Sequence, residues 1–262
     1  MTILKHELKQ NKLSFIIWTV AIAFFMAACI FIYPEMKNEM DEASKLFSQM
    51  GFFSSAFGMD KINFGTIKGF YSVECGNILG IGGAFFAAIT GITALMKEEK
   101  ERTAEFLFTH PVSRKNVITE KLISVLLLII MMNVIIFVLA ISSMAAIGEK
   151  VFWTELILYH FAQLMMQLEI AGICFGISAF ISRSGIGIGI GLTAGFYFLN
   201  ILANISDKVD FLKYITPYGY TNGSDIINDK AIDVPCLVIG MILMIIGIIA
   251  AYAKYTKKDL KA

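Results

Sequence analysis

The fold class that the sequence predicts is all-α: a polytopic membrane protein with six transmembrane helices. Three observations lead there. Apolar residues fill 57% of the 262 positions while Asp, Glu, Lys and Arg fill only 16%, against roughly 25% in a soluble domain. Six stretches approach or exceed the ~20 apolar residues that a helix needs to cross the hydrocarbon. No stretch alternates with period two, and open strand edges cannot face lipid, which leaves helices as the spanning element.

Taken in order, the chain starts with the basic amphipathic TILKHELKQNK. Its Ile3, Leu4 and Leu8 oppose Lys5 and Lys9, a pattern suited to lying along a membrane surface among lipid headgroups. The first span, 13–33, is followed by no small-residue cleavage site and reads as a retained helix, not a signal peptide. A loop over 34–72 opens at Pro34, with a short amphipathic helix around MKNEMDEASKLFSQM and then turn-rich FGMDKINFGTIKGF. Spans follow at 73–96, 121–147, 155–181 and 186–203. The fourth carries internal polar groups and is the weakest by hydropathy; the fifth is the shortest and richest in glycine. TPYGYTNGSD marks turns in the loop 204–233, and the last span is Val234–Tyr255. With no internal repeat, the whole of 1–262 is expected to form one transmembrane domain.

Counting Lys and Arg orients the spans. Fourteen fall on the side of the two termini, including those of the 97–121 connection, and eight on the other. Both termini are therefore expected in the cytoplasm of a multi-pass plasma-membrane protein, in keeping with an even number of spans.

Several functions lose their ingredients. A net charge of +1 advertises no nucleic-acid partner. Cys29, Cys75, Cys174 and Cys236 are far apart and form no CxxC or Cys/His cluster, so no metal site is expected. No GxxxxGK[ST] phosphate loop exists; GIGGAFF over 80–86 lacks the lysine and lies in a span. EEKER resembles the EExxxR signature of intramembrane glutamic proteases, but Glu98, Glu99 and Arg102 give EExxR, one residue short. The three histidines, His6, His110 and His160, lack the contexts that chemistry would need. No enzyme and no cofactor is expected in this chain.

The densest information is the charged connection EEKERTAEFLFTHPVSRKNVITEK, 98–121. Read as a helix, it pairs Glu98 with Arg102 at i, i+4, and sets Glu101 against Glu105. Phe106, Leu107 and Phe108 form an apolar tip. Pro111 pushes His110 out of helical conformation, and Ser113 offers its hydroxyl as N-cap to a new helix that begins at Arg114 and Lys115 and runs into the third span. The connection is thus helix, break, helix. Composition alone fits either a solvated, positively charged loop or a rigid docking element.

This order of segments resembles the ABC-2 type transporter permeases. In that family the connection after the second span carries acidic residues, Gly-Thr, Glu, a Leu-rich patch and PVSR, and ends in Lys. Thr103, Glu105, Leu107, Pro111, Val112, Ser113, Arg114 and Lys121 match; Arg102 stands at the usual glycine, and Phe106 and Phe108 replace aliphatic residues. The resemblance implies that the connection is a coupling helix seated on a separate ATP-hydrolysing ABC subunit, which would bind the ATP and Mg. It also implies pairing with a second permease, as homodimer or heterodimer, and export of an unidentified cargo. Glu98, Arg102, Glu105, Phe106, Leu107, Phe108, Pro111, Ser113 and Arg114 would form the coupling surface.

Within the spans, Glu169 lies near the middle of the fourth, where an ionised carboxylate costs roughly 2.5 kcal/mol or more. At ~100° per residue His160, Gln163 and Gln167 share one side of that helix and Glu169 points away. These groups either line a transport route or subunit contact, or hydrogen-bond neighbouring helices such as the third span through Asn133. Gly187, Gly191 and Gly195 recur every four residues on the fifth span as a ridge that lets another helix approach. Gly172 and Gly176 repeat that spacing on the fourth. The rival function is an ion-coupled secondary transporter that uses Glu169 or His160 as a proton relay.

Overall fold

The computed structural model describes residues 2–49, 51–97, 113–182 and 185–257. It is all-helical, with six helices long and apolar enough to cross a membrane: Lys12–Lys37, Ile67–Thr93, Arg114–Ala146, Trp153–Ser178, Ile186–Ile205 and Val234–Tyr255. An N-terminal helix, α1 (Thr2–Gln10), precedes the first span.

Polar side chains start three of these segments, and the short helix Gly223–Asp229, by accepting otherwise unpaired backbone N–H groups. Thr66 Oγ1 accepts from Gly69 N at 3.2 Å, Ser113 Oγ from Asn116 N at 3.2 Å, Asn222 Oδ1 from Ser224 N at 3.2 Å and Asp233 Oδ1 from Cys236 N at 3.2 Å. The Ser113 cap and a helix beginning at Arg114 are as expected from the sequence, and the span expected at 121–147 is one continuous helix with it, Arg114–Ala146.

Two boundaries differ from the sequence reading. The first helix does not stop at Pro34 but continues as one helix over Lys12–Gln49. Proline removes one helical hydrogen bond, and a helix leaving the hydrocarbon can give the freed carbonyl to water. Next to the proline, Tyr33 donates from Oη to Gly65 O at 2.8 Å and packs on Phe70 with ring centroids 5.3 Å apart. The second span starts earlier than residue 73, at Ile67, and includes a π-turn over Tyr71–Cys75.

The second and fourth spans are the most buried; the first, fifth and sixth show most of their surface to the surroundings. Glycine brings the fourth span close to its neighbours. A Cβ on Gly176 would lie 2.6 Å from Gly247 O of the sixth span, and one on Gly91 of the second would lie 2.5 Å from Ala171 O. The ridge Gly187, Gly191 and Gly195 is different: a Cβ at any of the three meets nothing within 4 Å among the described residues. The fifth span uses Gly189 for its approach to Ile92 and Ala88.

Contacts sort the ends into two faces. On one, α1 joins the end of the second span and the start of the third, and Arg114 Nη1 donates to Thr256 O at 3.4 Å. On the other, Lys37 pairs with Glu149, Lys61 with Asp225 and Lys68 with Glu155. We call these the termini face and the loop face.

Overpacking a tight contact costs about 1–3 kcal/mol. Gly176→Val should therefore lower the thermal unfolding midpoint of the detergent-solubilised protein, while Gly191→Val leaves it unchanged. Equal effects from the two would contradict this packing.

Candidate functional site

The described part of the 98–121 connection is its C-terminal end, Ser113 to Lys121; Glu98, Arg102, Glu105, Phe106, Leu107, Phe108 and Pro111 lie outside the described residues. What the structure describes is how that connection is mounted. Lys121, about two turns into the third span, is 1% exposed. Its Nζ donates to Glu7 Oε1 of α1 at 2.6 Å and to Ala94 O, at the end of the second span, at 2.9 Å. One ammonium thus ties three elements together. Both helices that flank the connection are held by it, and α1 is drawn against them. Glu7 is equally enclosed, with its side chain 4% exposed. A second bond secures the same helix, since Leu4 N donates to Glu120 Oε2 at 2.9 Å, where the carboxylate meets the free N–H groups of a helix start.

The intramembrane polar residues form a seam between the second and fourth spans, and glycines of the second make room for them. A Cβ on Gly76 would lie 2.5 Å from Tyr159 Oη and one on Gly80 would lie 3.3 Å from Gln163 Oε1; one on Gly83 would collide with Gln167 Nε2. Tyr159, Gln163 and Gln167 are four apart, so each faces one glycine of the neighbouring helix. Gln163 Nε2 donates to Tyr159 Oη at 2.7 Å. Gln167 Oε1 accepts from Asn133 Nδ2 of the third span at 2.7 Å, and its Nε2 reaches Leu79 O at 3.5 Å. His160 Nε2 and Tyr71 Oη share a 2.7 Å hydrogen bond.

Glu169 lies on the other side, fully buried, against Gly240 of the sixth span. Its two oxygens and the Tyr220 hydroxyl make no hydrogen bond of good geometry among the described residues. His160 and Glu169 are nine residues apart, half a turn out of phase and about 13 Å along the axis. The structure does not bring them together into one relay.

A family model for ABC-2 family transporter proteins matches residues 1–260, nearly the whole chain. The chain belongs to the ABC-2 transporter family. A search of curated proteins returned no match. As an ABC-2 membrane component the chain has no ATPase activity of its own and no cofactor, and it works with an ABC ATPase subunit. The power source of such a transporter is thus a separate polypeptide, which replaces the ion-coupled reading.

In this ABC-2 chain Ser113 caps the third span and Arg114 reaches the end of the sixth, as described above. His160, Gln163 and Gln167 share the seam, Glu169 stands apart, and the ridge at Gly187, Gly191 and Gly195 is bare among the described residues. Sequence reasoning did not single out Glu7, Tyr71 or Asn77. The signal for Glu7 was available: it shares the helical face of Ile3, Leu4 and Leu8, and a carboxylate on an apolar face needs a buried cation.

Breaking a buried ion pair costs about 3–5 kcal/mol, because the remaining charge is uncompensated. Lys121→Met or Glu7→Leu alone should loosen α1, read as faster proteolysis near the N-terminus. The double replacement should recover most of the loss. Additive losses would argue against a coupled pair.

Proposed function

We propose that this chain is the permease of an ATP-driven exporter of the ABC-2 type, in which the whole of 1–262 acts as one transmembrane domain and both termini face the cytoplasm of the plasma membrane. Two permeases, identical or related, combine with two ATPase subunits. The connection 98–121 is the coupling element, with Phe106 and Phe108 as its anchors and Glu98, Arg102 and Glu105 setting register on the partner.

The Lys121 junction is the observation that carries this reading. A docking element can pass motion into a membrane only if its flanking helices move together. Here one buried ammonium binds the end of the second span, the start of the third and α1, so a push on 98–112 would tilt them as a unit. The second span also packs against the fourth through Gly91, which extends the tilt to the centre of the bundle. Such rigid-body motion is a common switching mode. The excess of Lys and Arg on the termini face agrees with a cytoplasmic partner there. Export as the direction follows the family resemblance.

The bare ridge at Gly187, Gly191 and Gly195 supports pairing with a second permease. Small residues let helices approach closely in lipid, and this ridge meets no other part of the described chain.

Aromatic anchors at protein interfaces are commonly worth 2 kcal/mol or more, about 30-fold in affinity. Phe106→Ala with Phe108→Ala should release the ATPase partner on purification and lower stimulated hydrolysis, with the chain's own unfolding midpoint unchanged. Retention of the partner at full stoichiometry would remove these residues from the coupling surface. For the second permease, Gly191→Leu should lower the yield of chain-to-chain crosslinking along the fifth span while leaving chain stability intact. Unchanged yield would place the contact elsewhere.

A further inference from the structure

Three cavities open among the described residues of the loop face, and their linings differ in kind. One is edged by Lys37, Lys61, Lys68, Lys150 and Glu149. A second contains Lys61, Lys213 and the carboxylates of Asp210, Asp225, Asp229 and Asp233. The third reaches into the bundle between the second, fourth and fifth spans and is lined by no Asp, Glu, Lys, Arg or His. Its polar groups are carboxamides and hydroxyls, from Asn77, Tyr159, Gln163, Tyr197 and Asn200 within the spans and from Tyr218 and its neighbours above them.

We propose that this third cavity is a binding site for an uncharged hydrogen-bonding group, a carboxamide or a hydroxyl, borne by a molecule that enters from the loop face. Gln163 is the central observation. It is 2% exposed, lines the cavity, and commits its Nε2 to Tyr159, while Oε1 has no partner among the described residues. A buried acceptor left unpaired is destabilising, and a ligand N–H or O–H would remove that cost. On the opposite wall Tyr197 Oη donates to Asn77 Oδ1 over 3.3 Å, a long bond that a ligand oxygen or N–H can enter.

The same lining excludes ions. Taking a charge out of water into a site with no countercharge is far costlier than burying a neutral amide. Size narrows the class further. The cavity is about 50 Å³, against roughly 300–1,000 Å³ for a site that encloses a drug-sized ligand. It suits an end group, with the remainder of the molecule outside. Glycines at 76 and 80 preserve even this space, since side chains there would push Tyr159 and Gln163 into it.

The test uses a set of probes nearly equal in shape: neutral acetamide, anionic acetate and cationic acetamidinium. Asn200→Cys is placed in the full chain with Cys29, Cys75, Cys174 and Cys236 replaced by alanine, and its reaction rate with neutral methyl methanethiosulfonate is followed by mass spectrometry. At about four times its dissociation constant acetamide should slow labelling roughly fivefold, by mass action; acetate and acetamidinium at the same concentration should not. Gln163→Leu should abolish the protection without lowering the unfolding midpoint. Asn204→Cys, also on the cavity wall, serves if the first cysteine prevents folding. An unreactive cysteine, equal protection by the three probes, no protection by any, or protection that survives Gln163→Leu would each overturn the site and leave a cavity for water alone. Labelling needs neither ATP nor the ATPase partner, so this result stands apart from the transport reading.

Discussion

Hydrocarbon offers no hydrogen bonds, and the arrangement of this molecule follows from that constraint. Every polar group placed within the membrane must find a partner inside the protein or line a space that something polar can occupy. The fourth span carries Tyr159, His160, Gln163, Gln167 and Glu169, so it cannot stand at the lipid boundary and becomes the buried axis of the bundle. The second span supplies the complementary surface, because its glycines admit the tyrosine and glutamine heads at one-turn intervals. Span order in space is thus set largely by where polar side chains can be accommodated.

The termini face applies the same rule to charge. Glu7 and Lys121 are both enclosed, and each would be costly alone. Together, with Ala94 O as a third participant, they fix an amphipathic helix to the two spans that bracket the 98–121 connection. A buried ion pair adds little net stability compared with apolar packing, but it specifies one geometry. Fixed geometry is what the coupling role proposed for that connection requires. The π-turn at Tyr71–Cys75 near the opposite face is a further departure from regular helix, and it places Tyr71 against His160.

The glycines divide by the surface that they meet. Gly91, Gly172 and Gly176 touch neighbouring helices of this chain, while Gly187, Gly191 and Gly195 meet no other helix among the described residues. Their sequence spacing is alike, and four-residue spacing says only that small residues share a stripe. Whether the stripe points to a helix of the same chain or away from it depends on rotation about the helix axis, which neighbours impose.

The sequence by itself determined the class and the count of spans, because hydrophobic length is a local quantity that the bilayer thickness reads directly. It also determined the Ser113 cap and the start at Arg114 of the helix that runs into the third span, since a cap acts over three residues. The passage of the first helix through Pro34 escaped it, as did the extension of the second span back to Ile67. Those boundaries rest on tertiary contacts of Tyr33 with Gly65 and Phe70. Only the tertiary structure decided that the least hydrophobic spans are the central ones, that Glu7 pairs with Lys121 across 114 positions, and that His160 and Glu169 face different neighbours. Each of these depends on which helices lie side by side, and short-range periodicity carries no information about partners that are distant in the chain.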